Sequence, residues 1–254
     1  MSIQEIPIRT VGDLSLEILA LQQMNEQWLF RGHSNAHWAL RPGIHRGYTA
    51  QQERYLTNEF RVRARSRYEP CPSNNDYSGW LALMQHYGLP TRLLDWSYSP
   101  LIAAFFAVHP DYARARARNG RAACIWAMAA GRLNESQGFE PFIFPLDAAS
   151  YEALVVPAFK NREEPGTVGV AMALEHDARI QLQQSAFTIQ SASMPIETLE
   201  GSDRWLRKFV IEGDAISEFF DEISRLGMRQ SNLFPDLPSL AAELKASVRI
   251  ESEE

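Results

Sequence analysis

The stretch LMQHYGLPTRLLDWSYSPLIAAFFAV, from Leu83 to Val108, carries a helix stop, a turn, a strand and a helix start in succession. Gly88 stands where a helix built from YSGWLALMQHYG needs a left-handed cap. Pro90 turns the chain. TRLLDW then reads as a short apolar strand flanked by Arg92 and Asp95. Ser99 occupies an N-cap position and Pro100 the first position of the next helix. That helix start directs free N–H groups and partial positive charge at a loop holding Ser97 and Ser99, a place for an anion or a sugar hydroxyl. The plainer reading makes Ser99 a cap alone. Asp95, a carboxylate in an apolar strand, wants a partner, and Arg92 or Arg31 can supply it; a purely structural pair is the alternative. His86, in the last helical turn, is favoured there by the helix dipole whatever its function.

A second stretch, WLFRGHSNAHWALRPGIHR from Trp28 to Arg46, raises one question. The apolar strand start Trp28-Leu29-Phe30 delivers a cation, Arg31, immediately before Gly32. A buried unpaired charge is costly, so Arg31 must meet solvent or an anion. His33, His37 and His45 follow, but no carboxylate is interleaved with them, and the chain has no HExxH and no CxxC. No metal site is expected. GxGxxG, P-loop and GxSxG signatures are also absent.

The remaining pattern predicts one α+β domain: a helix in TVGDLSLEILALQQM, with segment 1–26 as an N-terminal helical part of the same domain. A helix over QQERYLTNEFRVRARSRY should bury Tyr55, Leu56, Phe60 and Val62. A buried strand falls in AACIWAM, an irregular middle around FEPFIFPLDAASYEALVVPAF, and a strand or strand pair in ARIQLQQSAFTIQ. A strand and helix follow in WLRKFVIEGDAISEFFDEISRLGM, and a last helix closes the chain. Two cysteines, Cys71 and Cys124, without metal-like spacing suit a reducing compartment. The N-terminal residues lack a signal-peptide pattern and no apolar run is long enough to span a bilayer, so a cytoplasmic protein is expected.

The motifs FRG (Phe30 to Gly32), WALRP with Arg46, QHYGLPTRLLDWS with AAFFA, and the tail LFPDLPSLAAEL resemble the FRG domain family from Gln27 to Leu244. That resemblance implies an FRG-type domain over 27–250 and a bacterial setting, as a toxin or phage-defence effector. The chain is also similar to ADP-ribosyltransferases, which place an Arg or His on a first strand, then a Ser-containing strand, then an A-x-x-F-A helix. This second resemblance implies a mixed, bent sheet with flanking helices and NAD as the substrate dinucleotide. Arg31, Asp95 and Gln183 would be catalytic. Arg31, Gly32, His86, Tyr87, Arg92, Ser97 and Ser99 would bind the dinucleotide, with Tyr87, Trp96 or Tyr98 stacking on nicotinamide. The third strand of that family carries Glu; here Gln183, Ser185 and Phe187 fit its pattern, and Gln cannot act as a base.

Net charge is −6, which does not mark a nucleic-acid binder by bulk composition. Two local clusters, Arg61, Arg63, Arg65, Arg67 and Arg114, Arg116, Arg118, Arg121, would form a phosphate-binding patch for a nucleic-acid acceptor if they meet in space. Helical spacing also suits a simple solvated face. Two other classes stay open: a non-catalytic nucleotide or nucleic-acid binding module, and a metal-independent nuclease using His33 or His86 as acid–base.

Overall fold

The computed structural model describes residues 3–22, 26–109, 122–174 and 178–248. The elements in chain order are β1 (Glu5–Ile8), α1 (Val11–Gln22), β2 (Trp28–His33), α2 (Ala50–Ala64), α3 (Tyr77–His86), β3 (Leu93–Ser97) and α4 (Pro100–Val108). Then come β4 (Ala123–Ala129), α5 (Ala130–Ser136), β5 (Phe144–Pro145), α6 (Glu152–Val155), β6 (Val168–Met172), α7 (Ala178–Leu182) and β7 (Ser185–Gln190). Last are α8 (Ser202–Trp205), β8 (Leu206–Ile211), α9 (Ile216–Arg225), α10 (Gln230–Leu233) and α11 (Leu237–Ser247).

The strands form one open mixed sheet in the order β1-β8-β4-β2-β3-β7-β6-β5. Only the two edge pairings, β1 with β8 and β5 with β6, are parallel. β1 shows that the N-terminal segment supplies an edge strand as well as the predicted helix. Alternation distributes side chains to two cores: Leu94 and Trp96 of β3 and Ala186 of β7 join α4, whereas Leu93, Phe187 and Ile189 pack on α3. None of the described helices is long and apolar enough to cross a membrane.

The β2–β3 junction differs from its neighbours. β2 pairs with β4 along its whole length, from Trp28 opposite Ala129 to His33 opposite Cys124. With β3 it shares one pair, Phe30 opposite Ser97. Beyond that pair the two strands part. α4 lies against β2 at the same place, with Ala103 and Ala107 turned to Gly32: a Cβ on Gly32 would stand 1.9 Å from the Ala103 carbonyl oxygen and 2.6 Å from the Ala107 nitrogen. The Gly of the FRG motif is therefore required by helix packing. α4 begins at Pro100, and Ser99 Oγ accepts from Ile102 N at 3.4 Å as its N-cap.

Two sequence expectations need correction. α2 does not bury Tyr55 and Val62, which are exposed; Glu53, Thr57 and Ala64 are buried, with Phe60 partly so. Those positions share one helical face, and the face is polar because it answers polar groups: Arg92, and the carbonyls of Ala158 and Phe159, which accept from Thr57 and Asn58. The segment ARIQLQQSAFTIQ is not a strand throughout. Its first part is α7, and Gln184 at φ 46° makes the left-handed turn into β7.

Candidate functional site

A cleft of about 350 Å³ opens where β2 and β3 part. Arg31 crosses this opening. Its Nε donates to His33 Nε2 at 3.1 Å and its Nη1 to the Asp95 carbonyl oxygen, taking the place of the missing ladder bonds. The Asp95 carboxylate stands 3.8 Å from Nη1, with the Arg31 side chain only 20% exposed and that of Asp95 55% exposed. That carboxylate is held instead by Gln85, whose Nε2 donates to Oδ2 at 2.8 Å, while Gln85 Oε1 accepts from Thr91 Oγ1 at 2.6 Å. Among the described residues no acceptor is bonded to Arg31 Nη2. Burial pushes the Arg31 guanidinium pKa down, with Asp95 opposing and Arg46 reinforcing the shift. It nonetheless stays charged, as guanidinium does in proteins.

Arg46 and Arg179 also line the cleft. Arg46 is pinned to the Arg41 carbonyl by Nε and Nη2, at 3.0 and 2.8 Å. Arg179 stacks over Phe234, 4.6 Å from its centroid. Three guanidiniums thus face one carboxylate in a chain of net charge −6. Opposite them, Ser97 Oγ donates to the Gln183 carbonyl at 2.8 Å and accepts from Ser99 N at 3.1 Å. One hydroxyl lone pair is left for a ligand. Gln183 Nε2 donates to Leu233 O at 3.1 Å, leaving its Oε1 as an acceptor.

His33 is 3% exposed, and burial first, then the charges of Arg31 and Arg46, push its pKa down to about 2. It is a neutral acceptor for Arg31 and no proton donor near neutrality. Its folded-state value lies below the ordinary value of 6.5, so unfolding takes up a proton wherever the pH is between the two. Stability from this group is complete above pH 6.5 and falls on acidification at about 1.4 kcal/mol per pH unit. Between pH 7 and pH 5 urea denaturation should show a loss of about 2 kcal/mol that His33→Gln lacks. Equal losses in both proteins would contradict the assignment.

The structure brings Arg31, Gly32, His86, Asp95, Ser97 and Gln183 to one cleft, with Trp96, Ser185 and Phe187. It does not bring Arg92 there. Arg92 is fully buried, gripped by Glu53 through Nε at 2.9 Å and Nη2 at 2.6 Å, and donates to Leu154 O at 2.8 Å. It lies outside the cleft lining, and its guanidinium is taken up by Glu53 rather than Asp95. Ser99 caps α4 and does not line the cleft. Tyr87 is 57% exposed at the end of α3, its ring against Tyr68 and His86. Tyr98 likewise stays outside the lining. Sequence reasoning missed Gln85, although the motif QHYGLPTRLLDWS contains it, and Arg179, which lay in a segment read as strand.

The four arginines of α2 and its end each make a contact within the chain, while Arg63, Arg65 and Arg67 remain exposed. Arg61 lies over Tyr77, Trp80 and Phe159, Arg63 pairs with Glu59 at 2.6 Å, Arg65 bonds Asn74, and Arg67 bonds the Arg63 carbonyl. The second cluster, Arg114, Arg116, Arg118 and Arg121, lies outside the described residues. No group of three His, Cys, Asp or Glu that could hold a metal occurs among the described residues.

β2, α3, β3 and α4, which supply residues to the cleft lining, lie together with α2 in a recognised module. Residues 26–116 match the family model of the FRG domain, and the chain contains an FRG domain. The matched segment ends ahead of β7, so Arg179 and Gln183 come from beyond it. No curated protein and no solved structure matches the chain.

Proposed function

We propose that the cleft binds an NAD-type dinucleotide and that the protein is an ADP-ribosyltransferase-like enzyme cleaving the nicotinamide glycosidic bond. ADP-ribose then passes to water or to an acceptor. The observation that carries this reading is Arg31: a mostly buried guanidinium whose nearest carboxylate stands 3.8 Å away. An anion completes it, and Nη2 is the group left to donate. Arg46 and Arg179 add attraction for a diphosphate. The Ser97 hydroxyl and Gln183 Oε1 accept from ribose hydroxyls.

In the cleavage step the C–N bond breaks and its electron pair leaves with nicotinamide. Positive charge develops on the ribose. Asp95 is the carboxylate in the lining, fixed by Gln85, and it opposes that charge. The acceptor oxygen then bonds to the anomeric carbon and gives up its proton.

Incubation with NAD should release nicotinamide, and Asp95→Asn should lower the rate about 100-fold with little change in affinity. A second reading has its own support: Gln183 stands where the family resemblance calls for Glu, and its amide is tied to Leu233 O. Tight ADP-ribose binding without any nicotinamide release would favour that reading, a binding module, over the enzyme.

A further inference from the structure

We infer that the ligand of this cleft carries a nucleobase beside its anionic group, and that the base lodges in a second compartment behind His86. The inference rests on the nucleotide reading above and adds where the base goes. A cavity of about 260 Å³ adjoins the first and shares Ala82, His86 and Ile180 with it. The two differ in chemistry. The first gathers three guanidiniums and the Asp95 carboxylate. The second is walled by Tyr68, Pro70, Cys71, Pro72 and Leu83, with Asp76 as its charged side chain. Asp76 Oδ1 already accepts from Gly79 N at 2.8 Å as the N-cap of α3. Gly79 lies so close that a Cβ there would stand 2.3 Å from Asp76 Oδ2, which keeps this part of the wall low.

Such walls offer nothing to a phosphate. Proline and tyrosine rings do offer flat apolar faces to a flat ring, as base-binding surfaces generally do. A nucleoside phosphate joins the two requirements in one molecule, its phosphate at Arg31 and its base past His86.

Cys71 provides the readout. It is half-buried in the second compartment, its thiol bonded to the Tyr68 carbonyl at 3.1 Å. Cys124 is fully buried and burial pushes its thiol up to about 12, so a thiol reagent reports Cys71. Disulfide-exchange labelling of the full chain should slow at least five-fold in saturating adenosine 5′-monophosphate or NAD, and should not slow in saturating ribose 5-phosphate. Cys71→Trp, which fills the compartment, should weaken adenosine 5′-monophosphate at least ten-fold in calorimetry and leave ribose 5-phosphate unchanged. The inference is overturned if adenosine 5′-monophosphate binds while Cys71 labels at the free rate, or if only a short single-stranded oligonucleotide protects. Protection by NAD without nicotinamide release keeps this inference and removes the enzymatic reading; no binding of either nucleotide removes both.

Discussion

Gly32→Ala is expected to be the most damaging glycine-to-alanine change among the described residues. The added Cβ meets backbone, the Ala103 carbonyl oxygen at 1.9 Å and the Ala107 nitrogen at 2.6 Å, so no side-chain rotation relieves it. Either α4 lifts off β2 or β2 leaves β4. Overpacking of well-filled cores costs about 1–3 kcal/mol, and this contact sits at the upper end or beyond because backbone must move. A Tm drop of about 6–12 °C follows for a domain of this size. The same displacement widens the β2–β3 opening, so ligand affinity should fall with stability. A melting temperature within a degree or two of the parent would mean that α4 does not rest on Gly32.

The second large effect is expected at Glu53. Its carboxylate takes both prongs of Arg92, and the two side chains are 3% and 0% exposed. Glu53→Gln leaves the guanidinium without its main counter-charge, since Glu164 stands further off at 3.5 Å. Breaking a buried pair by one partner costs about 3–5 kcal/mol, whereas replacing both with apolar residues of similar volume is often neutral. Urea denaturation should therefore show a large loss for Glu53→Gln and recovery in Glu53→Leu/Arg92→Met. The affinity of the folded double variant for ADP-ribose should match the parent, because Arg92 lies outside the cleft. A weakened affinity in a stable double variant would return Arg92 to the site.

Much of the local structure was legible in the chain. Gly88, Ser99 and Pro100 are punctuation whose physics is local, and the helix and strand ends fall where those residues predict. The partner of Arg92 was not legible. Glu53 lies on a helix whose apolar residues suggested another face, and nothing local reveals that Tyr55 and Val62 remain in solvent while Glu53 turns inward. Adjacent helix residues point about 100° apart, so His86 and Tyr87 cannot both face one cleft, and sequence alone did not say which does. Arg31 and Asp95 lie inside strands beside the stretch where β2 and β3 no longer pair, Ser97 ends β3 and Gln183 precedes β7, and polar groups left without ladder partners there converge on one another. Arg179 was hidden by a wrong period: a helical turn in a segment whose alternation suggested strand. Gly32 was expected among the dinucleotide-binding residues; nothing local reveals that packing against Ala103 and Ala107 of α4 also requires a glycine there.

The central claim is that Arg31 is completed by a ligand anion rather than by the protein. Calorimetric titration of ADP-ribose into the parent, Arg31→Lys and Arg31→Ala, each paired with a thermal melt, tests it most directly. Lysine keeps the charge but loses the planar fork that reaches His33, the Asp95 carbonyl and an anion together. A charge-assisted hydrogen bond contributes about 1.5–3 kcal/mol, so affinity should fall about 10- to 100-fold in both variants while each still folds. Early melting of both variants, with parental affinity in the fraction that remains folded, would make Arg31 a strut between β2 and β3 and contradict the account.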